Sequence, residues 1–402
     1  MEWKITNIGS LCDRVCSGGT PKSTNNAYYN GNIPWLNTKE VNFNRIYDTE
    51  KNITQLGLEN SSAKWISENS VIVAMYGATA GKVAITKIPI TTNQACCNLS
   101  INSEIADYNF VYYFLCSKFY ELSSLANGGA QQNLNAQIIK DFPIKIPVNL
   151  SDQRKIAGIL SALDSKIENN NKINANLEAQ AEALFKSWFV DFTPFKDQPF
   201  VDSELGPIPQ GWKVGKLGDL GDIICGKTPS KKNKNFYGGN IPFIKIPDMH
   251  GHVFVNESAD SLTNTGSLSQ KNKLIPSHSL MVSCIATVGL VSINSKPAHT
   301  NQQINSIIPI CDYLLYFLYL FIKRNKDYLQ NLGRGGTTTL NVNTKTFSSI
   351  LIAIPQKDVV INFHQIVSPI FKTIENNIQE NQRLAALRDT LLPKLMSGEI
   401  KL

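Results

Sequence analysis

A short glycine-rich segment, Gly77-Ala-Thr-Ala-Gly-Lys82, is the nearest approach in this sequence to a phosphate-binding loop. A Walker loop binds phosphates through backbone amides between two glycines, a lysine and a hydroxyl that coordinates Mg²⁺. Here the glycines are one residue closer together than in a Walker loop, and Val83 stands in place of the hydroxyl. A related segment near Gly289 has Leu290 in place of the lysine. We therefore predict a tight turn between two strands.

Metal-binding and catalytic patterns are weak as well. Cys12 and Cys16, or His250 and His252, could begin a metal site, but no second pair follows at ligand spacing. The eight cysteines lack the spacing of a disulfide framework, which indicates reduced thiols in a cytoplasmic protein. The sequence has no Asn/Asp-Pro-Pro-aromatic run of an amino-methyltransferase, and no nucleophilic triad can be picked out. We expect no catalytic residue, metal or cofactor in this chain.

Polar, glycine-rich segments carry residue types that suit nucleic-acid binding. Backbone amides, hydroxyls and ammonium groups bind phosphates, while Gln, Asn and Arg hydrogen-bond base edges in the major groove. Thirty-nine Lys and Arg against 32 Asp and Glu give a formal net charge of +7, which favours a polyanionic partner. The residues that we predict to contact DNA are Thr20, Lys22, Asn37, Lys39, Gln131, Gln132, Asn133, Lys227, Thr228, Lys231, Lys232, Lys245, Arg334, Thr337 and Thr338.

The elements that must position these residues occur twice, because the chain is a tandem repeat. Many residues of the first half return in the same order 207 to 209 positions later. The longest matches are Trp3-Lys4 with Trp212-Lys213, Thr20-Pro21 with Thr228-Pro229, Gly31-Asn-Ile-Pro34 with Gly239-Asn-Ile-Pro242, and Thr92-Asn-Gln94 with Thr300-Asn-Gln302. Each repeat begins with short β-rich runs between Gly, Pro and Asn turns and ends in a helical pattern.

Two of these segments have structural alternatives. The lysine-rich residues 226–234 could be a solvated surface loop, but they occupy the same place as Thr20-Pro21-Lys22 of the first repeat, which favours DNA contact. The repeated Thr-Asn-Gln could instead be structural, with side chains that tie turns to the backbone. Both interpretations of that motif remain open from sequence.

An apolar seam runs along the helical part of each repeat. From Ile156 to Trp188, and again from Phe363 to Leu395, seam positions alternate spacings of four and three residues. Asparagines occupy the fifth and sixth positions of both seams: Asn170, Asn174, Asn377 and Asn381. Antiparallel packing would place Asn170 beside Asn381, and Asn174 beside Asn377. Polar seam layers of this kind fix helix register and orientation at a cost in stability.

These patterns divide the chain into five segments. We predict a mixed domain over 1–150, a spacer helix over 151–193, a linker over 194–211, a second mixed domain over 212–355 and a second spacer helix over 356–402. Four prolines indicate an extended linker, while Pro369 should kink the second helix or lie in its first turn and Pro393 should weaken its last turn. The most apolar run, residues 313–322, is too short to span a membrane and is expected to be a buried helix. The N-terminus has no signal-peptide pattern.

Six motifs, distributed over both repeats, carry a resemblance to a known family. They are Gly18-Gly-Thr-Pro21, Gly31-Asn-Ile-Pro-Trp35, Gly77-Ala-Thr-Ala-Gly-Lys-Val83, Ala183-Leu-Phe-Lys-Ser-Trp-Phe-Val-Asp-Phe192, Gly206-Pro-Ile-Pro-Gln-Gly-Trp212 and Leu391-Leu-Pro-Lys-Leu-Met-Ser-Gly398. On these motifs the whole chain resembles the specificity subunits of Type I restriction-modification systems.

The resemblance implies an α+β fold in which two tandem mixed α/β target-recognition domains are separated by two long antiparallel coiled-coil-like helices, with pseudo-twofold symmetry. Each domain would read one half of an asymmetric, split site in double-stranded DNA. Two methylation subunits would dock on the chain and use S-adenosylmethionine to methylate adenine N6 in each half-site. Restriction subunits would add cleavage that depends on ATP and Mg²⁺. This chain would then be a non-catalytic, cytoplasmic targeting subunit with no membrane partner.

Two other classes of protein are compatible with the same patterns. One is a stand-alone DNA-binding regulator, and the other is an interaction protein whose domains bind no DNA. The spacer helices are longer than a monomeric DNA reader requires, which favours docking of partner subunits.

Overall fold

The structure, a computed structural model, describes residues 1–127, 134–334, 340–400 and 402. The chain divides into two units. The first unit comprises Met1–Ile167 and Arg383–Leu402, and the second comprises Glu168–Gln382. Each unit therefore contains one mixed domain together with parts of both long helices.

The strands of the first unit form two sheets and one antiparallel pair. The sheets have the strand orders β2-β9-β6-β7-β4 and β5-β3-β8, and the pair is β1-β10. The strands are β1 (Trp3–Asn7), β2 (Cys12–Ser17), β3 (Tyr29–Leu36), β4 (Asn44–Ile46), β5 (Asn52–Ile53), β6 (Val71–Ala74), β7 (Val83–Thr86), β8 (Thr91–Thr92), β9 (Cys96–Ile101) and β10 (Pro143–Pro147). The helices that begin in this unit are α1 (Gln55–Glu59), α2 (Tyr108–Ser117), α3 (Phe119–Asn127), α4 (Ala136–Asp141) and α5 (Leu150–Phe189).

Strand β6 shows why the larger sheet is buried on both faces. All four of its residues are apolar, and successive side chains of a strand point to opposite faces. Val71 and Val73 pack in a core that includes Phe110 of α2. Ile72 and Ala74 pack in a separate core with Leu36 at the end of β3. The sheet thus lies between two apolar layers.

The second unit repeats this strand order. Its sheets are β14-β21-β18-β19-β16 and β17-β15-β20, and the pair is β13-β22. The strands are β11 (Phe200–Val201), β12 (Ile208–Pro209), β13 (Lys213–Lys216), β14 (Gly221–Cys225), β15 (Tyr237–Ile244), β16 (Phe254–Val255), β17 (Asp260–Leu262), β18 (Leu280–Ser283), β19 (Val291–Asn294), β20 (His299–Thr300), β21 (Ile304–Pro309) and β22 (Leu351–Ile354). The helices are α6 (Ile246–Met249), α7 (Asn264–Leu268), α8 (Leu315–Arg324), α9 (Lys326–Gly333), α10 (Thr344–Ser348) and α11 (Lys357–Ser397).

The buried helix expected over residues 313–322 is α8, whose apolar residues lie in the core of the second unit. None of the helices described is both long and apolar enough to cross a membrane.

The seam predicted on the two long helices is correct in its pattern. Each of the twenty seam positions is buried or partly buried. Within the second unit, Asn170 Nδ2 donates to Asn381 Oδ1 at 2.9 Å, and Asn377 Nδ2 donates to Asn174 Oδ1 at 2.8 Å. These pairs give the antiparallel register that the sequence predicted. That they set the register energetically stays a prediction.

The second unit also adds polar partners to the asparagine layers that the seam alone did not indicate. Asn170 Nδ2 donates to Glu380 Oε2 at 2.7 Å, and Asn381 Nδ2 donates to Asn171 Oδ1 at 2.8 Å. Asn170 is 1% exposed, so its amide is held in a nearly dry setting. Buried amides of this kind are stable only when they are hydrogen-bonded.

The extended linker predicted over 194–211 is wrong in its conformation. Residues Thr193–Phe195 form a 3-10 turn, and β11 pairs with β12 as an antiparallel hairpin. Phe195 and Ile208 are buried in a small cluster with Trp212. Apolar side chains in this segment gain more from burial than an extended link would allow.

The two prolines of α11 narrow the prediction: the first-turn alternative for Pro369 is excluded, whereas a kink there and a weaker last turn at Pro393 stay predictions. The helix begins at Lys357, so Pro369 lies in its interior and not in its first turn. The helix continues through Pro393 to Ser397, one turn beyond that proline.

Candidate nucleic-acid interface

The first glycine loop (residues 18–22) lies directly on the Thr-Asn-Gln motif of its own unit. A Cβ atom added to Gly18 would overlap the carbonyl oxygens of Thr92 and Asn93. Gly19 N–H donates to Thr92 O at 2.8 Å. The two glycines are needed because two stretches of backbone approach each other without room for side chains.

Exposed polar groups extend from this packed base. The Thr20 hydroxyl donates to Gln94 Oε1, and both side chains are exposed. Tyr29 Oη donates to Pro21 O at 2.6 Å, and Trp35 Nε1 donates to Gly19 O at 2.9 Å. The loop is thus held from beneath by two aromatic side chains, while Thr20, Lys22 and Gln94 remain on the surface.

The second glycine loop (residues 226–234) has the same construction in the second unit. A Cβ atom on Gly226 would overlap the carbonyl oxygens of Thr300 and Asn301, and Lys227 N–H donates to Thr300 O at 2.9 Å. Thr228 Oγ1 donates to Gln302 Oε1 at 2.7 Å. Tyr237 Oη donates to Pro229 O at 2.7 Å. The Thr-Gln and Tyr-Pro pairs are therefore common to both repeats.

The repeated Thr-Asn-Gln proves to be structural in its first two residues. Thr92 and Asn93 are buried; the Thr92 hydroxyl accepts from Asn98 Nδ2 at 2.9 Å, and Asn93 Oδ1 accepts from Ala95 N at 3.2 Å. The glutamine differs, because Gln94 is exposed and bonded to the glycine loop. The motif thus joins a buried turn to a surface group.

Both loops lie where two parallel strands end. Strand β3 pairs in parallel with β8, and β15 pairs in parallel with β20. Asn37 and Lys245 follow β3 and β15 at equivalent positions, and Gln94 and Gln302 follow β8 and β20 closely. The two strand ends therefore bring the predicted residues at the glycine loops and at positions 37 and 245 to one edge of each unit.

Asn37, which is predicted to contact DNA, uses its side chain to cap a turn. Asn37 Oδ1 accepts from Lys39 N at 3.3 Å, and Asn37 N–H donates to Glu40 Oε1 at 2.9 Å. This arrangement is a capping box on the turn Thr38–Glu40. Asn favours such positions because its short side chain reaches the free backbone amides of a turn.

Two of the predicted cations are held by carboxylates. Lys39 pairs with Glu50 on the surface, and Lys245 pairs with Asp260. The Lys245 backbone N–H also donates to Asp248 Oδ2 at 2.8 Å at the start of α6. A DNA phosphate would have to compete with these carboxylates, so both lysines are weaker candidates than the sequence suggested.

The lysines of the second glycine loop are placed to meet a polyanion. Lys227, Lys231, Lys232 and Lys234 are all exposed, as is Lys22 in the first glycine loop. Ammonium groups on a loop of this kind bind phosphate oxygens without regard to base sequence.

The remaining predicted contacts belong to the segments near residues 128 and 335. Arg334 is exposed and follows α9. The residue after the second of these segments, Leu340, accepts through its carbonyl from Ala286 N–H at 3.0 Å, in the turn between β18 and β19. Gln131, Gln132, Asn133, Thr337 and Thr338 lie outside the described residues.

The segment tested as a phosphate loop is a turn between strands, as predicted. Residues 75–82 connect β6 to its antiparallel neighbour β7, so no helix N-terminus follows the glycines. Gly77 and Gly81 have φ values of 85° and 83°, and Gly289 has a φ of 88° in the second repeat. Lys82 Nζ donates to Asn42 Oδ1 at 2.7 Å. Glycine at a positive φ is what a tight turn requires.

A buried Ser-His-Gln cluster lies beside the second glycine loop. His299 Nε2 is 2.8 Å from Ser267 Oγ, and Nδ1 is 3.3 Å from Gln270 Nε2. The same Gln270 nitrogen donates to Lys227 O at 3.0 Å, which fixes the orientation of the amide because a carbonyl can only accept. Nδ1 must then accept, so the proton of the neutral ring is on Nε2 and points to Ser267. Burial lowers the pKa of His299, which favours this neutral form.

That proton arrangement is the reverse of a catalytic serine-histidine pair. A general base must accept the serine proton at Nε2, whereas here Nε2 is the donor. The three side chains are also between 0% and 7% exposed, so no substrate reaches them. Among the described residues, no group of three or more His, Cys, Asp and Glu side chains could hold a metal ion. The cysteines described are free, and burial raises the pKa of Cys12 and of Cys97 to about 12.

The sequence did not predict the side chains that donate hydrogen bonds to the backbone carbonyls of the glycine loops. The pairing of Tyr29 with Tyr237 in the repeat alignment was an available signal for one of them. Trp35 and Gln270 carried no such signal, because they differ in type and in position between the repeats.

Comparison with known proteins agrees with the duplication. The model of the family described as Type I restriction modification DNA specificity domain matches the chain twice, over residues 1–179 and 209–387. The Type I restriction enzyme HindI specificity subunit of Haemophilus influenzae is 35% identical over 99% of this chain and 100% of its own length. The MjaIX specificity subunit of Methanocaldococcus jannaschii is 30% identical over 100% of this chain and 94% of its own length.

A solved structure supports the fold. The crystal structure of a Type I restriction-modification system S subunit from M. genitalium is similar with a TM-score of 0.60 and 16% sequence identity. The similarity covers 98% of this chain and 96% of that one. The solved structure agrees in fold, and the two family matches together with relatives that align over nearly their whole length show that the chain belongs to the family of Type I restriction-modification DNA specificity subunits.

Proposed function

We propose that this chain reads an asymmetric, two-part site in double-stranded DNA, with each repeat contacting one half-site. The observation that carries the proposal is an edge of equivalent construction that occurs once in each unit. There the same backbone frame presents an exposed Thr-Gln pair and exposed lysines. Groups common to both repeats suit contacts to phosphates, which are the same in every sequence. Residues that differ between the repeats are free to read different bases.

The proposal extends to the enzyme that the chain would direct. Two methylation subunits would use S-adenosylmethionine to methylate adenine N6 in each half-site, and restriction subunits would use ATP and Mg²⁺ to cleave unmodified DNA. The chain itself would neither methylate nor cut. The length of α5 and α11, 40 and 41 residues, supports a role in docking those subunits. Turnover by the purified chain alone, with contaminants excluded, would contradict this assignment.

Exchange of one domain provides the direct test. Residues 1–150 would be replaced by the corresponding domain of a relative, and the methylated adenines of the host genome would be sequenced before and after. We expect one half of the methylated motif to change completely while the other half and the spacing remain. A change in both halves would contradict the assignment of one domain to one half-site. No methylation that depends on the chain would favour a stand-alone regulator or a protein that binds no DNA.

A further inference from the structure

One backbone carbonyl in each glycine loop accepts a hydrogen bond from a buried side-chain N–H. In the first loop the carbonyl of Gly19 accepts from the Trp35 indole at 2.9 Å. In the second loop the carbonyl of Lys227, at the equivalent position, accepts from the Gln270 amide at 3.0 Å. Trp35 and Gln270 are each 4% exposed. Two side chains of different type therefore donate to the equivalent backbone carbonyl in the two loops.

The bond from Gln270 adds to two backbone hydrogen bonds that already hold residues 226 and 227. Lys227 N–H already donates to Thr300 O at 2.9 Å, and Gly226 N–H donates to Ile304 O at 3.0 Å. With Gln270 on its carbonyl, Lys227 is held on both sides of its Cα atom. The direction in which its side chain leaves the backbone is then set, as is the start of the segment that carries Lys231 and Lys232.

The chemistry around Gln270 is unusual for a residue that only fills space. Its Oε1 atom is buried and has no hydrogen-bond partner among the described residues. A buried unpaired amide oxygen costs free energy that an apolar side chain of similar size would avoid. The amide nitrogen, in contrast, has two partners, Lys227 O and His299 Nδ1. The N–H groups of Gln270 are therefore the part of the side chain that its surroundings use.

His299 supplies the second acceptor for that amide nitrogen and so supports the orientation that the Lys227 carbonyl requires. Its Nδ1 atom accepts from Gln270, and its Nε2 atom is turned to Ser267. The first repeat has Thr91 at the position of His299, with its hydroxyl donating to Pro34 O at 2.8 Å, and there the Trp35 indole donates to the loop carbonyl. The Gln-His pair is thus specific to the second repeat.

We propose that Gln270, oriented by His299, is a positioning residue for DNA recognition by the second repeat, and that Trp35 does the same in the first repeat. The inference rests on the proposed function, because it assumes that the glycine loops face DNA. Each residue acts through a backbone carbonyl of its own loop and touches no DNA. Loss of either should weaken recognition of one half-site and leave the other unchanged.

A crossed experiment tests this. The full chain, wild type or carrying Gln270→Met or Trp35→Phe, would be bound to a duplex with the site identified by methylation sequencing. Binding to duplexes scrambled in one half or the other would be measured in parallel. We expect Gln270→Met to reduce discrimination about tenfold at the second domain's half-site only, the ratio that about 1.4 kcal/mol produces. Trp35→Phe should do so at the first domain's half-site only, because Phe, the residue of the second repeat at this position (Phe243), is aromatic but has no N–H.

The outcomes separate this inference from the proposed function. If the wild-type chain fails to distinguish its site from scrambled DNA, the proposed function is wrong and the inference with it. If the wild type discriminates, and a folded Gln270→Met variant discriminates as well as the wild type does at each half-site, the inference alone is overturned. Equal loss at both halves would also overturn it, because a general loss of stability has no preference for one half-site.

A second pair of variants covers the case in which Gln270→Met does not fold. In His299→Asn an amide oxygen stands close to the position of Nδ1 and can accept from Gln270, whereas His299→Leu has no acceptor. We expect the Asn variant to keep discrimination at the second half-site and the Leu variant to lose it. Equal behaviour of the two variants would overturn the role assigned to His299 and, with it, the positioning network.

Discussion

In the first repeat an indole holds the carbonyl of Gly19, whereas in the second repeat an amide, oriented by a buried imidazole, holds the carbonyl of Lys227. The backbone frame around these carbonyls is the same in both units, as are the bonds from Thr20 to Gln94 and from Thr228 to Gln302. The comparison teaches that the loop has the same position in both repeats although the side chain that donates to its carbonyl differs in type.

The same comparison separates the charges of the two loops. The second glycine loop carries four exposed lysines, whereas the first carries Lys22. The second repeat also contains all five histidines of the chain, from His250 to His364. The repeats should therefore respond alike to changes in the backbone frame and differently to changes of salt or pH.

The largest effect is expected from the frame itself. Gly18→Ala and Gly226→Ala would each force a Cβ atom into backbone carbonyls, which should lower the free energy of unfolding of the affected unit by about 1–3 kcal/mol. Gly158→Ala is the control, because this helical glycine has open space around it and alanine favours a helix. Thermal unfolding of the three variants makes the measurement. A large effect in one repeat only would show that the frames are not equivalent.

A smaller effect is expected from the charges of the second loop. If Lys231 and Lys232 contact phosphates, replacing both with Ala should lower the slope of log binding constant against log salt by about 1 per lost contact. Lys39→Ala offers a matched control in the first repeat, because its ammonium group is already paired with Glu50. A binding slope that does not change in the double variant, with folding intact, would mean that the loop is a solvated surface.

The tyrosines should show the two repeats behaving alike again. Tyr29→Phe and Tyr237→Phe each remove one hydroxyl that donates to the carbonyl of a loop proline. Each change should cost about 1 kcal/mol of unfolding free energy, the usual net value of such a bond. Chemical denaturation of both variants would measure it. Values that differ by more than this would mean that one loop does not depend on its tyrosine.

The smallest effect is a difference in pH dependence. The pKa of His299 is lowered in the folded chain, so the unfolded chain takes up the proton first as the pH falls below about 6.5. Stability from this group is present above that pH and is lost as the pH falls toward the folded pKa. His299→Thr, which introduces the residue of the first repeat, should therefore reduce the loss of stability between about pH 7.5 and about pH 5.5.

Hydrogen exchange would locate this effect. In the wild type, amides of the second unit should lose protection from exchange when the pH is lowered. In His299→Thr this loss of protection should be smaller. A residual loss is expected, because burial also lowers the pKa of His364. Equal pH-dependent loss of protection in the first unit, which has no histidine, would contradict the assignment.

The parts of the fold that could be predicted depend on local or repeated signals. The seam from Ile156 to Trp188 is a periodic pattern within one helix, and it predicted both the helix and its asparagine pairs. The repeated Gly-Asn-Ile-Pro segments predicted that two similar domains would form. The strand orders could not be predicted, because neighbours such as β2 and β9 are joined by pairing between residues far apart in the chain.

The site was predictable only where residues lie on the surface loops themselves. Thr20 and Thr228 were predicted from loop chemistry and lie at the candidate site, where their contact with DNA stays a prediction, but the buried donors to the loops were not predicted. Gln270 lies 43 residues from Lys227, and its counterpart Trp35 lies 16 residues from Gly19. Asn37 was assigned to DNA because amides can read bases, while the same amide is equally suited to cap a turn. Composition alone does not separate those roles.

The contact between each glycine loop and its support has a consequence for how such a protein can change over generations. Gly18 and Gly226 rest on main-chain oxygens, which every residue type supplies, and on the buried hydroxyls of Thr92 and Thr300. Mutations that alter exposed side chains near the loop therefore leave these supporting contacts intact. If each domain reads one half-site, as proposed, changes in the exposed side chains of one domain can alter its base preference while the contacts that support the loop remain. Under selection for new DNA specificities, such as that imposed by a changing population of foreign DNA, this architecture would tolerate substitutions of the exposed residues.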